Sequence, residues 1–347
     1  MTKTFYRSNV LFCGIFITFK SKDQQMNKGK STDGLLRHIR KEHNINVNGR
    51  KDKLNLQNMG YYHGYKAYKF YRTKNRPFEI KDFSQINTLF EFDNQLKAFF
   101  YPLIMSVETS IKNRTIEVAT QGNDPTIYQI FDQVLTRNKD DNETESKQKK
   151  FLRDKTNFRR SVDSLICNRY NSIFVSHYLH KDEPLPLWSI MELFSLGNVG
   201  KFLELMNKSL RIKLENSIGM YNNSIDQQAE LLIKHVFILK PLRNSVAHNQ
   251  IIFDCRFQDF DIRHSVKEHL VRQYGVPDIS FDTITDYFLL ILYYLKLFGI
   301  TRSKQKKLIK DFSDIIDSFS KNINNTEIVD RVLFTNPQLK LEAAKNF

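Results

Sequence analysis

Arg243, Asn244 and His248 are the residues whose types and spacing could do chemistry. They close the stretch from Ser224 to Phe253, SIDQQAELLIKHVFILKPLRNSVAHNQIIF. On a helix turning about 100° per residue, Asn244 and His248 stack on one face. Arg243 then lies about 140° round from the histidine and about 7.5 Å along the axis, within reach of a long guanidinium. An imidazole, an amide and a permanent cation would converge on something the size of a phosphodiester. Ser245 and Ala247 are small and would let a ligand or a second helix approach. Arg37 to His43 and Arg263 to His269 share a similar spacing, so spacing alone says little. Context separates the three, because only Arg243 has a polar neighbour at the end of a strongly apolar helix just past a proline. A helix-end charge beside a hydrogen-bonded histidine accounts for the same residues, and both readings stand at this point.

The elements that must position these residues are helical in pattern. Ser224 with Gln227 reads as a capping box, and Ala229, Leu232, Ile233, Val236, Phe237 and Leu239 supply an apolar face. Pro241 predicts a kink or a restart of the helix. A long helical pattern runs from Asp82 to about Gln121, with a kink expected at Pro102. It carries Glu108 and Lys112 as an i, i+4 pair, either a surface salt bridge or an orienting pair for the site. LPLWSIMELFSLGNVGKFLELM, which holds the single tryptophan Trp188, reads as a core helix pair broken at Gly197-Asn198 and Gly200. Residues 138–150, NKDDNETESKQKK, lack apolar side chains and read as a solvated loop or insertion. Phe281 to Ile300 is the last strongly apolar helix; Asp282, Asp286 and Lys296 argue against a membrane span.

The 347 residues are 41% hydrophobic, enough for a full core and perhaps a second small domain, and carry a net charge of +15. Residues 1–76 hold 17 Lys and Arg against 4 Asp and Glu, so nearly all the excess sits in the first fifth. A polyanion is the expected partner, nucleic acid first, with an anionic membrane surface or a merely solubilising face as rivals. The cations placed to contact RNA are Arg37, Arg40, Lys41, Arg50, Lys51, Lys53, Lys66, Lys69 and Arg72. Ser31 onward reads as a capped basic amphipathic helix, and the tyrosines of GYYHGYKAYKFYR (60–72) are expected mostly to pack a core while the interleaved cations face outward. Val10 to Phe19 is apolar but too short for a spanning helix, and reads as a short strand or as sequence upstream of the true start. Cys13, Cys167 and Cys255 form no C-x-x-C or His cluster, so no metal site, cofactor or disulfide framework is expected, and a reducing cytoplasm fits. The expected organisation is an extension at 1–25, a basic region at 26–76, a helical core at 77–300 and a basic helix and tail at 301–347.

Four blocks in order, LQNMGYYHGYKAYKFYR (56–72), LFEFDNQLKAFFYPLIMSVETSIKNR (89–114), HYLHKDEPLPLWSIMELFSLGNVGKF (177–202) and LRNSVAHN (242–249), resemble abortive-infection proteins of the AbiD/AbiF type, which carry a HEPN domain. The resemblance covers roughly residues 30–300. It implies an all-α, HEPN-type helical bundle with a small basic N-terminal helical region, acting as a ribonuclease toxin in bacterial defence against phage. In some such proteins a small structured RNA restrains the enzyme. The arginine, the polar residue after it and the histidine of the HEPN signature fall on Arg243, Asn244 and His248, and a homodimer sharing one cleft is implied. The chemistry would need no metal: His248 would deprotonate a ribose 2′-hydroxyl and Arg243 would bind the phosphate. A non-catalytic RNA-binding or scaffold protein, dimerising through its bundle, is the alternative.

Overall fold

All regular structure among the described residues is helical, apart from three isolated bridges. The computed structural model describes residues 29–72, 76–137, 144–276, 278–334 and 337–347; the apolar stretch Val10 to Phe19 lies outside them. The order is α1 (Thr32–His43), α2 (Gly49–Met59), a π-helical turn (Tyr61–Lys66), α3 (Phe83–Thr120), α4 (Ile127–Gln133), α5 (Glu145–Asn168), α6 (Ile173–Leu179), α7 (Leu187–Leu193) and α8 (Leu196–Leu205). It continues through α9 (Lys208–Ile218), α10 (Leu231–Ala247), α11 (His264–Tyr274), α12 (Ile284–Leu297), α13 (Arg302–Asn322), α14 (Thr326–Leu333) and α15 (Pro337–Asn346).

Helix α3 organises the rest. It begins at the predicted place, with Asp82 and Gln85 closing a capping box, and its 38 residues run through Pro102 to the C-cap Gln121. At 1.5 Å per residue it is about 57 Å long. Its buried stripe, Ile86, Leu89, Phe92, Leu96, Phe100, Ile104, Val107 and Ile111, packs against α10, α9, α12 and α13. Three charged residues, Asp93, Lys97 and Glu108, lie buried on the same helix. Buried charges on an apolar stripe must be paired, and their partners locate the site.

Several local expectations are corrected. Ser224 and Gln227 do not cap a helix; α10 starts at Leu231, where Asp226 Oδ2 accepts from the N–H groups of Glu230 and Leu231, each at 2.6 Å. The helix does not restart at Pro241 but continues through it to Ala247. Residues 145–150 are not loop but the exposed first turns of α5, with Glu145 paired to Lys149 at 2.7 Å. They need no apolar residue because they project into solvent. The break between α7 and α8 falls at Phe194-Ser195, where Ser195 and Asn198 form a capping box, rather than at the glycines. Gly200 is inside α8 and lets it approach α10: a Cβ there would lie 2.9 Å from Phe237.

The last segment is no appendage. Phe312 stacks on Phe288 with centroids 4.4 Å apart, Phe319 on Phe92 at 4.1 Å, and Lys340 reaches the buried Asp286 at 2.7 Å. Residues from Leu36 to Ala344 share one continuous core. Among the described residues no helix is long and apolar enough to cross a membrane.

Candidate functional site

The C-terminus of α10 is shaped by its last residues. His248 is the C-cap, and its N–H donates to Asn244 O at 2.9 Å, so the two residues are one turn apart as their spacing predicts. Asn249 takes a left-handed conformation (φ 54), its N–H donates to Val246 O at 3.3 Å, and Gln250 N–H donates to Ser245 O at 2.7 Å. These two bonds are a Schellman closure with asparagine in the place usually held by glycine. The closure fixes where the backbone of His248 sits while leaving the residue exposed.

Helix α3 holds this helix end at two levels. Glu108, only 4% exposed, accepts from Arg243 Nε at 2.7 Å through Oε2 and pairs with Lys112 Nζ at 2.8 Å through Oε1. Two cations on one carboxylate leave the trio with a net charge of +1. Arg243 is anchored by Nε and its side chain is 22% exposed, so its Nη groups are left for a second anion. Glu108 and Lys112 are thus brought to the arginine as an ion-paired trio. Nearer the start of α3, Lys97 Nζ donates to Asn249 Oδ1 at 2.6 Å and pairs with Asp93 at 3.1 Å. Asp93 is fully buried; it accepts from Ile252 N and Phe253 N at 2.8 Å each and from the Tyr68 hydroxyl at 2.8 Å. The chain just past His248 is therefore clamped between α3 and the tyrosine segment.

Asp93, Lys97 and Asn249 are absent from the residues singled out by spacing and type. A signal for two of them existed: Asp93 and Lys97, like Glu108 and Lys112, are an i, i+4 acid and lysine embedded in apolar sequence, FEFDNQLKAFF. Asn249 gave none, because its partner lies 152 residues away.

The other arginine–histidine spacings build nothing comparable. His43 packs on the Tyr65 ring, and burial and Lys69 push its pKa below the ordinary value. His269 is buried between His235 and Tyr293, its pKa pushed down to about 4 chiefly by burial. The cations expected to meet RNA divide. Tyr65, Tyr68 and Tyr71 are core residues, as expected. Arg72, however, is committed inside the protein: its Nε donates to Asp254 O at 2.9 Å and its Nη1 pairs with Asp282 at 2.9 Å. Lys66 sits over Tyr62, 5.1 Å from the ring centroid, and Lys69 over Phe70 at 6.0 Å. Arg37, Arg40, Lys41, Arg50 and Lys51 are exposed, and Lys53 pairs with Asp33 at 2.7 Å. Among the described residues no group of three or more His, Cys, Asp or Glu is arranged to hold a metal ion.

A family model described as "Abi-like protein" matches residues 55–254, more than half of the chain, from the tyrosine segment through the clamp beyond His248. No curated protein and no solved structure matches.

Proposed function

The chain belongs to the Abi-like protein family, and on that premise we propose that it is a metal-independent RNA endonuclease toxin of the HEPN kind, acting in abortive infection against phage. The observation that carries the reading is an arginine fixed by Glu108 through Nε alone, five residues before an exposed histidine whose backbone is locked by the Schellman closure. Such a pair suits phosphodiester transfer within RNA. His248 takes the proton from the ribose 2′-hydroxyl, the 2′ oxygen bonds to phosphorus, and the bond to the 5′ oxygen breaks. Arg243 Nη groups bind the phosphate and offset the charge growing on its equatorial oxygens. Asn244, on the histidine's face, orients the imidazole or the phosphate. The leaving 5′ oxygen takes a proton from His248 of a second copy, in a homodimer with one shared cleft. The products are a 2′,3′-cyclic phosphate and a 5′-hydroxyl. A small bound RNA restrains the enzyme before infection.

The test is cleavage of a mixed-sequence RNA by the full chain in the presence of EDTA. Wild type yields cyclic-phosphate ends and spares the same strand made with 2′-O-methyl sugars or as DNA; His248→Ala loses cleavage by about a hundredfold or more, the usual contribution of a positioned base. Cleavage of the methylated strand, or full activity of the variant, would remove the mechanism. One observation favours a rival reading: Arg243 already has a structural partner in Glu108, which Lys112 shares. In that reading the bundle is a non-catalytic RNA-binding scaffold, and His248→Ala leaves both RNA binding and growth arrest intact.

A further inference from the structure

We propose that the groove between α1 and α2 is a separate binding site for the sugar-phosphate backbone of single-stranded RNA. The proposal deepens the nuclease reading, on which it rests for the identity of the polyanion, and assigns the grip on RNA to a place other than the arginine–histidine site. The groove has a volume of about 750 Å³ and is lined from both walls by cations: Arg37 and Arg40 from α1, Arg50 and Lys53 from α2. Asp33 is the one acid on the lining, so the balance is +3. Each wall presents its pair at i, i+3, which puts the two charges of a pair on one helical face.

The groove is prepared for an anion in three further ways. The Arg40 guanidinium is held by the Val47 carbonyl at 3.0 Å and needs little ordering when a ligand arrives. The N-cap of α2, Asn48, makes no side-chain capping bond; the Asp52 carboxylate takes the Asn48 N–H at 2.6 Å, which leaves the N–H groups of Gly49 and Arg50 without a side-chain cap where those residues line the groove. Nothing lies within 4 Å of where a Cβ on Gly49 would stand, so a phosphate can approach that backbone. Charge on both walls of a concavity suits a single polyanionic strand lying within it. An anionic lipid surface is bound instead by an amphipathic helix that lays an apolar face into it, with its cations on the outward rim. Four of the nine cations singled out from the sequence meet here, whereas Arg72 is spent on Asp254 and Asp282.

The experiment uses the full chain carrying His248→Ala, so that binding is read whether or not the protein cleaves, with an unstructured fluorescent 20-nucleotide RNA and anisotropy across a KCl series. Arg37→Gln with Arg50→Gln, both exposed, should make the slope of log affinity against log salt shallower by about 1.4, at about 0.7 for each phosphate no longer neutralised. Arg302→Gln with Lys306→Gln, equally exposed and cationic on α13, should leave the slope unchanged. Asp33→Asn removes the competing carboxylate beside Lys53 and should tighten binding about two- to fivefold, a gain that misfolding cannot mimic. An equal drop in slope for both double variants, or no gain from Asp33→Asn, overturns the site. So does binding to phosphatidylserine vesicles that depends on Arg37 and Arg50 while RNA affinity does not. Absence of cleavage by the wild-type chain, with this binding intact, would count against the nuclease reading alone.

Discussion

In the proposed mechanism one arginine serves both a structural carboxylate and a reacting phosphate, and which nitrogen each takes governs the outcome. Glu108 takes Nε of Arg243 at 2.7 Å and is itself steadied by Lys112. Glu108→Gln keeps the shape and one acceptor but removes the charge that orients the guanidinium. Its cost to folding should be about 1–2 kcal/mol, read as the midpoint of urea unfolding. Its cost to RNA cleavage should be tenfold or more in kcat with KM little changed, since orientation matters most where charge develops. Equal activity at saturating RNA would reduce Glu108 to a packing residue. Part of this arrangement is legible in the sequence: the acid and lysine four apart, the arginine, the polar neighbour and the histidine one turn on. The Lys97–Asn249 bond is not, because no local pattern couples residues 152 positions apart. Nor does the local pattern reveal that Arg72 turns inward, since its partners Asp254 and Asp282 come from distant segments.

At the scale of the element, what places Arg243 is the packing of α10 between α3 and α8. Gly200 sits where α8 meets Phe237 and Val236, and an added Cβ would come within 2.9 Å of the ring and 3.1 Å of the valine methyl. Gly200→Ala should therefore destabilise the fold by about 1–3 kcal/mol through overpacking, although alanine is the better helix former. Thermal unfolding checks the sign; a stabilised variant would mean that the α8–α10 contact gives way easily. The glycines that looked like a helix break are thus a packing device, and the break falls instead at Ser195, whose side chain can cap. The long helix over residues 83–120 is readable because periodicity, a capping acid and length all agree. The start of α10 is not, because Asp226 competes with Ser224 for the cap and only tertiary context decides. The first turns of α5 defeat a reading from apolar periodicity, since a helix end standing in solvent has no apolar face to show.

Across the whole molecule, the clearest consequence of burial is a dependence of stability on pH. Helices α9, α10, α11 and α12 meet at a polar cluster in the core: Glu215, His235, His269, Tyr293 and Tyr294. His235 Nδ1 lies 2.9 Å from the Tyr294 hydroxyl, and the two imidazoles are 5.6 Å apart. Burial holds His235 well below its ordinary value and His269 at about 4, with Lys234 and Arg272 adding to the effect and Asp226 opposing it at His269. Each histidine is neutral when folded and takes up a proton on unfolding below about 6.5, so its contribution is complete above that pH and is lost as pH falls toward the folded value. Glu215 runs the other way. Burial raises its carboxyl to about 7, so its contribution is complete below about 4.5 and is lost as pH rises toward 7. Between pH 5 and 6 two histidines oppose one carboxyl, and from this cluster the unfolded chain binds one more proton than the folded one. The cluster's contribution should therefore drop by about 1.4 kcal/mol per pH unit on acidification across that window. His269→Phe keeps an aromatic ring against Tyr293 and removes one of the two histidines, which should cancel that slope. Urea unfolding of wild type and variant at pH 5, 5.5 and 6 isolates the difference, and parallel curves would mean that His269 titrates freely in the folded protein.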